Sequence, residues 1–351
     1  MFEELIRSWD GEEVLAHFDA PTETWMFVCI HSTRLGPAAG GCRMKSYDTP
    51  DDALLDCMRL ASGMTLKTAV GGLPMGGGKS VIATPEVPPP GSELRRAVMA
   101  RFAMMVGSLK GNYWTGPDMN TSEPDMDVIW EVAPYAFGRS PVLGGSGDSA
   151  PDTAEGVLHG IRASVAQAFG SPELAGRSVL VEGVGAVGSR LAELLAKENA
   201  SLLVADIDQE RVAEIGEQLG ARVVAPAEVI GTECDVYAPC AVGGTINEGT
   251  IPRLRCGAVA GGANNQLGEP IHDAERLRQA DILYAPDYVV NAGGAFHLIG
   301  QETLGWSRQE LDRHITGIAD TLTRIFERAE SQGISTELAA ERIAHDRLSA
   351  A

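Results

Sequence analysis

The chain has 351 residues and a formal net charge of −20, with 44% hydrophobic and 22% charged residues. That length fits two domains of roughly 150 to 200 residues, and the acidity argues against nucleic acid and anionic membranes, which need a basic surface. No window approaches the ~18 apolar residues of a membrane span, and Glu3, Glu4, Arg7 and Asp10 stand where a signal peptide needs its apolar core, so a cytoplasmic location is expected.

Residues 24–31 form a continuous apolar run of strand character. Leu35-Gly-Pro-Ala-Ala-Gly-Gly41 then reads as a loop of small residues where a substrate backbone can lie close. Pro50-Asp51-Asp52 followed by Ala53, Leu54, Leu55, Met58, Leu60 and Ala61 reads as a capped helix with an apolar stripe.

That helix leads into residues 63–82, where Lys67 and Lys79 sit among apolar residues and glycines. Gly76, Gly77 and Gly78 strip side chains from the approach to Lys79, leaving room for a ligand. Burial and a second ammonium both lower a lysine pKa, and a lysine so treated can act as a base near neutral pH. A flexible glycine turn with two solvated lysines is the alternative. A phosphate-binding loop is not, because position 73 is Leu where that motif needs Gly.

A proline-rich link at 85–91 precedes a helix over about 92–109. Trp114-Thr-Gly-Pro-Asp118 then sets an acid after a turn beside an apolar strand, either as a turn-forming Asp or as a chemical group. Residues 144–152 change character and read as a hinge between domains, followed by a helix over about 153–169.

Residues 178–182 read as a strand that runs directly into Gly183-Val-Gly185-Ala186-Val187-Gly188, with a helix opening on the last part of the motif. The next strand ends in Asp206. This is the dinucleotide fingerprint in its required context: a tight turn, close approach of a pyrophosphate to a helix N-terminus, and an acid for the ribose 2′-OH. Asp206 would repel a 2′-phosphate, so NAD is expected over NADP. The βα alternation continues, and Ala238-Pro-Cys240, Ala263-Asn264-Asn265 and Asn291-Ala-Gly-Gly294 fall just after strands, where open parallel sheets bind ligands. Asn264 and Asn265 can equally be turn residues. Beyond Ser307, apolar residues from Leu311 to Ala329 keep helical spacing and read as a core-facing helix. The six cysteines lack metal-ligand spacing and read as buried thiols, with no metal site expected.

Together these residues resemble the glutamate/leucine/phenylalanine/valine dehydrogenase family of NAD(P)-dependent amino-acid dehydrogenases. The resemblance covers nearly the whole chain and rests on Leu35 to Gly41, Lys67, Leu73-Pro-Met-Gly-Gly-Gly-Lys79, Trp114 to Asp118, Ala263-Asn-Asn265 and Asn291-Ala-Gly-Gly-Ala-Phe-His297. These segments look most like the phenylalanine-specific members.

The resemblance implies an α/β fold with an N-terminal α/β substrate domain at 1–148 and a Rossmann-like, doubly wound NAD-binding domain at 149–324. A C-terminal helix from about 325 to 351 would pack back on the first domain, and substrate would lie in a cleft that closes to expel water. It further implies Lys67 on the α-carboxylate with help from the backbone at Gly40 and Gly41, Lys79 as general base, and Asp118 as its proton partner. Asn264 would lie near the substrate amino group and nicotinamide ribose, Ser149 and Thr153 on the nicotinamide side, and Ala238 and Cys240 beside the cofactor. The reaction implied converts an L-amino acid, NAD and water to a 2-oxo acid, ammonia and NADH, reversibly, in a homo-oligomer.

Leucine-specific members carry Leu and Val where motif alignment places Ala39 and Ala295, and glutamate-specific members use Lys and Ser near there. An uncharged pocket disfavours glutamate, because an unpaired buried carboxylate is costly. Two alanines leave space for a ring, so L-phenylalanine is expected first, with a leucine or valine dehydrogenase as the alternative. Phe296, where Ile is expected in the phenylalanine-specific members, would narrow the pocket. A hydroxy-acid oxidoreductase would need a histidine with a carboxylate or a metal, and His297 reads instead as packed or hydrogen-bonded. A non-catalytic NAD sensor has no use for Lys67, Lys79 and Asp118 in an apolar setting.

Overall fold

The computed structural model describes residues 2–351 and comprises two compact units. The first holds the chain up to Gly147 together with 298–305 and 344–351, and the second holds 148–297 and 306–343.

The first unit begins with α1 (Phe2–Ser8), β1 (Glu13–Asp19), β2 (Thr24–Ser32), β3 (Ala38–Lys45) and α2 (Pro50–Val70). It continues through β4 (Gly76–Ala83), α3 (Glu93–Ser108), β5 (Tyr113–Pro117) and α4 (Glu123–Val132). Its five strands lie in the order β1-β2-β4-β3-β5, with β3 parallel to both β4 and β5 and the remaining pairs antiparallel. Helices cover both faces, which explains the unbroken apolar run of β2. Met26, Val28 and Ile30 pack with Phe102 of α3 and Met126 of α4, while Phe27 and Cys29 pack with Leu54, Cys57 and Met58 of α2.

α2 starts as expected, with the Thr49 hydroxyl accepting from Asp52 N at 3.2 Å and Pro50 in the first turn. It runs nine residues past Ala61, so Lys67 stands in its last turn. The segment 76–83, which carries Lys79, is an interior strand. The expected loop at 35–41 is also largely strand: β3 begins at Ala38, so Gly40 and Gly41 are inside the sheet.

The second unit contains α5 (Ala150–Phe169), β6 (Ser178–Glu182), α6 (Ala186–Lys197), β7 (Ser201–Ala205), α7 (Gln209–Leu219), β8 (Arg222–Val223) and β9 (Val236–Pro239). After these come β10 (Ala258–Val259), α8 (Pro270–Gln279), β11 (Leu283–Tyr284), α9 (Asp287–Val290), α10 (Gly293–Ala295), α11 (Arg308–Gln332) and α12 (Thr336–Ala350), of which only the part up to Ile343 belongs to this unit. The six strands are all parallel in the order β11-β10-β9-β6-β7-β8. The chain winds outward from β6 to β8, then returns to β9 and winds the other way. The switch point lies between β6 and β9, where a doubly wound sheet opens a crevice at its carboxyl edge.

The C-terminal segment divides differently from the expected 325–351. α11 stays with the second unit: Leu311, Ile315, Ile318, Leu322, Ile325 and Phe326 are buried, and a Cβ added at Gly156 of α5 would meet Ile318 Cδ1 at 2.8 Å. Apolar residues at this spacing need a facing helix, and the small residues of α5 let it approach. Only 344–351 cluster with the first unit, where Arg347 donates to the carbonyls of Ala69 at 2.8 Å and Leu73 at 3.0 Å. Those carbonyls sit at and just past the end of α2, where a helix leaves its acceptors unsatisfied. Among the described residues, no helix is long and apolar enough to cross a membrane.

Candidate active site

Strand alternation gathers the candidate residues of the first unit. Cys42, Met44 and Ile82 point to the α3 and α4 face, so Gly41, Arg43, Lys79 and Val81 point to the α2 face. In register, β3 and β5 pair Gly41 with Gly116 and Cys42 with Pro117, which puts Asp118 at the end of the neighbouring strand. There Lys79 Nζ meets Asp118 Oδ2 at 2.5 Å, with the lysine side chain 9% and the aspartate side chain 22% exposed. Gly41 sits directly beneath, since a Cβ there would fall 2.8 Å from Asp118 Cβ and 3.2 Å from Lys79 Nζ. Asp118 is thus in contact with a lysine, whereas a bare turn residue would face solvent.

Electrostatics keeps the pair charged at Asp118. Burial pushes its carboxyl up, but Lys79 and Arg43 together outweigh burial and hold it below the usual carboxylate range. Arg43 is the residue that the sequence reading missed. Its Nε lies 3.5 Å from Asp118 Oδ2, while its Nη1 donates to Asp56 Oδ2 at 3.0 Å. Asp56 also accepts from the Tyr47 hydroxyl at 2.7 Å and from Arg59 at 3.2 Å. An arginine in the otherwise small and apolar stretch Gly40 to Met44 was the available signal.

The glycine triplet before Lys79 serves packing. A Cβ would land 2.0 Å from Ser32 O at Gly76, 2.1 Å from Thr65 N at Gly77 and 2.9 Å from the Tyr113 ring at Gly78. These residues let β2 and α2 close onto β4, so the stretch is neither a flexible turn nor an open approach for a ligand. Gly40 likewise has the Gly78 carbonyl where a Cβ would sit, at 1.8 Å. Ala39 is fully buried, in register with Gly77 and Trp114. Lys67 is half-buried on the last turn of α2.

In the second unit the fingerprint is formed as its spacing predicts. Gly183 has φ 89°, a left-handed conformation that favours glycine, and Gly188 has the Gly183 carbonyl 1.8 Å from where a Cβ would be. Gly185 caps α6 without a side-chain acceptor and has open space beside it, so the helix that begins at Ala186 and Val187 has no capping side chain over its first N–H donors. That cradle fits the pyrophosphate of a dinucleotide. Asp206 follows β7 and already accepts from Val184 N at 2.7 Å and Asp208 N at 2.9 Å, tying the acid to the glycine turn. Cys240 lies against Gly188 and accepts from Gly262 N at 3.4 Å. Ala238 is fully buried inside β9, so its side chain belongs to the core.

Ser149 and Thr153 open α5 against Gly294, where a Cβ would meet Thr153 Oγ1 at 2.6 Å and Ser149 Oγ at 3.5 Å. Ala295 follows directly and is half-buried. Asn264 is exposed and accepts at Oδ1 from the buried Asn291 Nδ2 at 2.8 Å, while Asn265 takes a left-handed φ of 52°. The turn reading therefore holds for Asn265, and Asn264 has a fixed side chain whose amide N–H group is turned away from Asn291. The Phe296 ring is buried with its centroid 5.8 Å from that of His314 and 6.3 Å from that of Trp306. His297 Nδ1 pairs with Asp152 Oδ2 at 2.5 Å, and Arg308 holds the other Asp152 oxygen at 2.8 Å. A histidine–carboxylate pair thus exists after all, but both partners are buried and engaged with their own unit.

Residues 24–134 match the family profile described as Glu/Leu/Phe/Val dehydrogenase, dimerisation domain, and residues 202–351 match Glutamate/Leucine/Phenylalanine/Valine dehydrogenase. The chain is 41% identical over 343 residues to the leucine dehydrogenase of Geobacillus stearothermophilus, covering 98% of this chain and 92% of that one.

The chain belongs to the Glu/Leu/Phe/Val dehydrogenase family. Another relative is the phenylalanine dehydrogenase of Caldalkalibacillus thermarum, 39% identical over 344 residues and covering 97% and 91% of the two chains. The crystal structure of L-tryptophan dehydrogenase from Nostoc punctiforme superposes with a TM-score of 0.86 at 36% identity, covering 99% of this chain and 98% of that one. The protein is accordingly an amino-acid dehydrogenase of an NAD(P)-dependent family with a Rossmann-like second unit.

Proposed function

We propose that this protein is an NAD-dependent dehydrogenase of large apolar L-amino acids, with L-phenylalanine as first substrate. The observation that carries the reading is the short, largely buried contact between Lys79 Nζ and Asp118 Oδ2 over Gly41. In it an amine and a carboxylate can exchange protons at a site shielded from bulk water.

Lys67 binds the substrate α-carboxylate, with the backbone at Gly40 and Gly41 alongside. Lys79 takes a proton from the substrate ammonium, releases it to solvent, and later takes another from the water that adds to the imine carbon. Asp118 exchanges protons with the departing nitrogen. Asn264, fixed at Oδ1 by Asn291, offers its N–H group toward substrate and ribose. NAD, when bound, accepts the hydride from Cα. Per turnover, amino acid, NAD and water yield 2-oxo acid, ammonium, NADH and one proton, and the reaction runs in both directions.

The glycine turn at 183–188 with the uncapped α6 N-terminus supports a dinucleotide, and the carboxylate of Asp206 supports NAD over NADP by charge. Ser149, Thr153 and Cys240 line the cofactor side. The half-buried Ala295 supports a bulky side chain over a short one, whereas Ala39 is buried within the sheet and the Phe296 ring packs beside Trp306 and His314. The similarity to leucine dehydrogenase favours leucine as second substrate. One methylene is worth only about 1–3 kcal/mol of discrimination, so overlap between the two is expected. The match of residues 24–134 to a dimerisation domain supports a homo-oligomer built through the first unit.

The test is a panel of L-phenylalanine, L-tryptophan, L-leucine, L-valine and L-glutamate with NAD or NADP, read as reduced nicotinamide and repeated in the aminating direction. Highest kcat/KM with phenylalanine and NAD supports the proposal, and preference for valine or glutamate refutes it.

A further inference from the structure

Asp118 touches two cations of different chemistry: a guanidinium keeps its protons in proteins, whereas an ammonium can exchange them. Lys79 Nζ is at 2.5 Å from Asp118 Oδ2 and Arg43 Nε at 3.5 Å from the same oxygen. That Nε is buried and, among the described residues, makes this ion-pair contact and no hydrogen bond. At the other end of the guanidinium, Asp56 anchors Nη1 at 3.0 Å, and Asp56 is itself held by Tyr47 and Arg59.

The other groups around the pair carry no charge of their own or stand further back. Burial pushes the Cys42 thiol up to about 12 and the Cys57 thiol well up, and burial and Asp56 push the Tyr47 phenol up, so all three stay neutral. Asp56 faces the pair from α2 through Arg43, and Asp125 from α4 is occupied by Arg95 at 2.6 Å. The charges in line are therefore Asp56, Arg43, Asp118 and Lys79, alternating in sign. Burial works against the Arg43 charge, but Asp118 and Asp56 outweigh it. A guanidinium does not deprotonate in proteins, so this cation remains when Lys79 is neutral.

We infer that Arg43, anchored by Asp56, is a positioning residue: it returns Asp118 to the carboxylate form after each proton transfer and keeps that carboxylate on Lys79. This rests on the dehydrogenase reading above and adds to it the group that governs the proton state of Asp118. Without Arg43, each turn in which Lys79 loses its proton would leave Asp118 with no cation beside it. Asp118 would then compete with Lys79 for the proton.

The experiment compares the parent with Arg43→Gln and Arg43→Lys, using kcat/KM for L-phenylalanine with NAD across pH. Removing a cation this close raises a carboxylate pKa by about 1 to 3 units. The acid limb of the profile should therefore move to higher pH by about one unit or more in Arg43→Gln. KM should change little and kcat should fall at least about tenfold. Arg43→Lys keeps the charge but cannot span Asp56 and Asp118, so it should keep the parent's limb and lose less of the rate. A parental limb in Arg43→Gln, or a limb that moves equally in both variants, overturns the inference.

NAD binding and near-ultraviolet circular dichroism check that each variant is folded. If Arg43→Gln does not fold, Asp56→Asn should move the limb the same way by a smaller amount, and an unmoved limb overturns the inference. If even the parent oxidises no large apolar amino acid, the dehydrogenase reading fails on its own. The inference is then judged by carboxyl-carbon NMR, with Asp118→Asn for assignment: the Asp118 midpoint should rise in Arg43→Gln and not in Arg43→Lys.

Discussion

Gly41→Ala places one methyl group between the two groups proposed to do the chemistry. The new Cβ would be 2.8 Å from Asp118 Cβ, 2.9 Å from the Pro117 carbonyl and 3.2 Å from Lys79 Nζ. Ordinary contacts begin near 3.4 Å, so Asp118 or β3 must withdraw by about half an ångström, and in a close-packed sheet that strain is shared rather than absorbed. Overpacking of this kind costs about 1–3 kcal/mol of stability. The fold should survive, because two of the three nearest contacts are with the movable side chains of Lys79 and Asp118 and one is with a backbone carbonyl at the end of β5. Activity should fall much further, since a misplacement of this order costs roughly 100-fold in rate. The assay is kcat and KM for L-phenylalanine, alongside NAD affinity and the urea midpoint. The expected pattern is kcat down about 100-fold, NAD affinity unchanged because the proposed dinucleotide turn belongs to the other unit, and a modestly lowered midpoint. A folded variant with the parent's kcat would refute the claim that turnover depends on the Lys79–Asp118 contact.

Lys79→Ala should lower turnover by several orders of magnitude while NAD still binds with parental affinity; near-parental rates would remove Lys79 from the mechanism. Asp206→Ala removes two hydrogen bonds to the turn backbone, costing roughly 1–3 kcal/mol of stability. The telling readout is therefore the ratio of NAD to NADP dissociation constants, which should shift toward NADP, and equal losses would discredit the NAD assignment. Glu337 is buried beside Tyr288, Asp287 and Glu341, and burial pushes its carboxyl well above the ordinary range. With the folded pKa raised, its contribution to stability is complete below about pH 4.3 and is lost as pH rises toward the folded pKa, by about 1.4 kcal/mol for each unit. Glu337→Gln, which cannot ionise, should show a higher melting temperature than the parent at pH 8 and a near-equal one at pH 4. A difference that does not grow with pH would show that Glu337 is ionised in the folded protein.

Much of the second unit was legible in the linear sequence because its signals are local. The run into Gly183, the three glycines, the helix that follows and Asp206 lie within 29 residues of Ser178 and fold against one another. The first unit was harder to read. Ser62, Gly63, Thr65 and Thr68 look like helix breakers after Ala61, yet α2 continues to Val70. The Thr68 hydroxyl bonds back to the Met64 carbonyl at 3.1 Å, and Gly77 offers Thr65 a surface with no side chain in the way. Neither compensation can be seen without β4 in place. The glycines at 76–78 looked like access for a ligand and are instead close contacts with β2, α2 and Tyr113.

The amino-acid order alone determined the residue types of the chemistry and the dinucleotide turn, because spacing within a strand, a turn or a helix is set by backbone geometry over a few residues. Only the tertiary structure decided that Lys79 meets Asp118 across 39 positions of chain, that Arg43 bridges Asp118 to Asp56, and that α11 packs on α5. Those pairings come from the parallel register of β3, β4 and β5 and from the burial of helix faces. Such contacts join distant segments, and their energy exists only once the sheet and its covering helices have assembled.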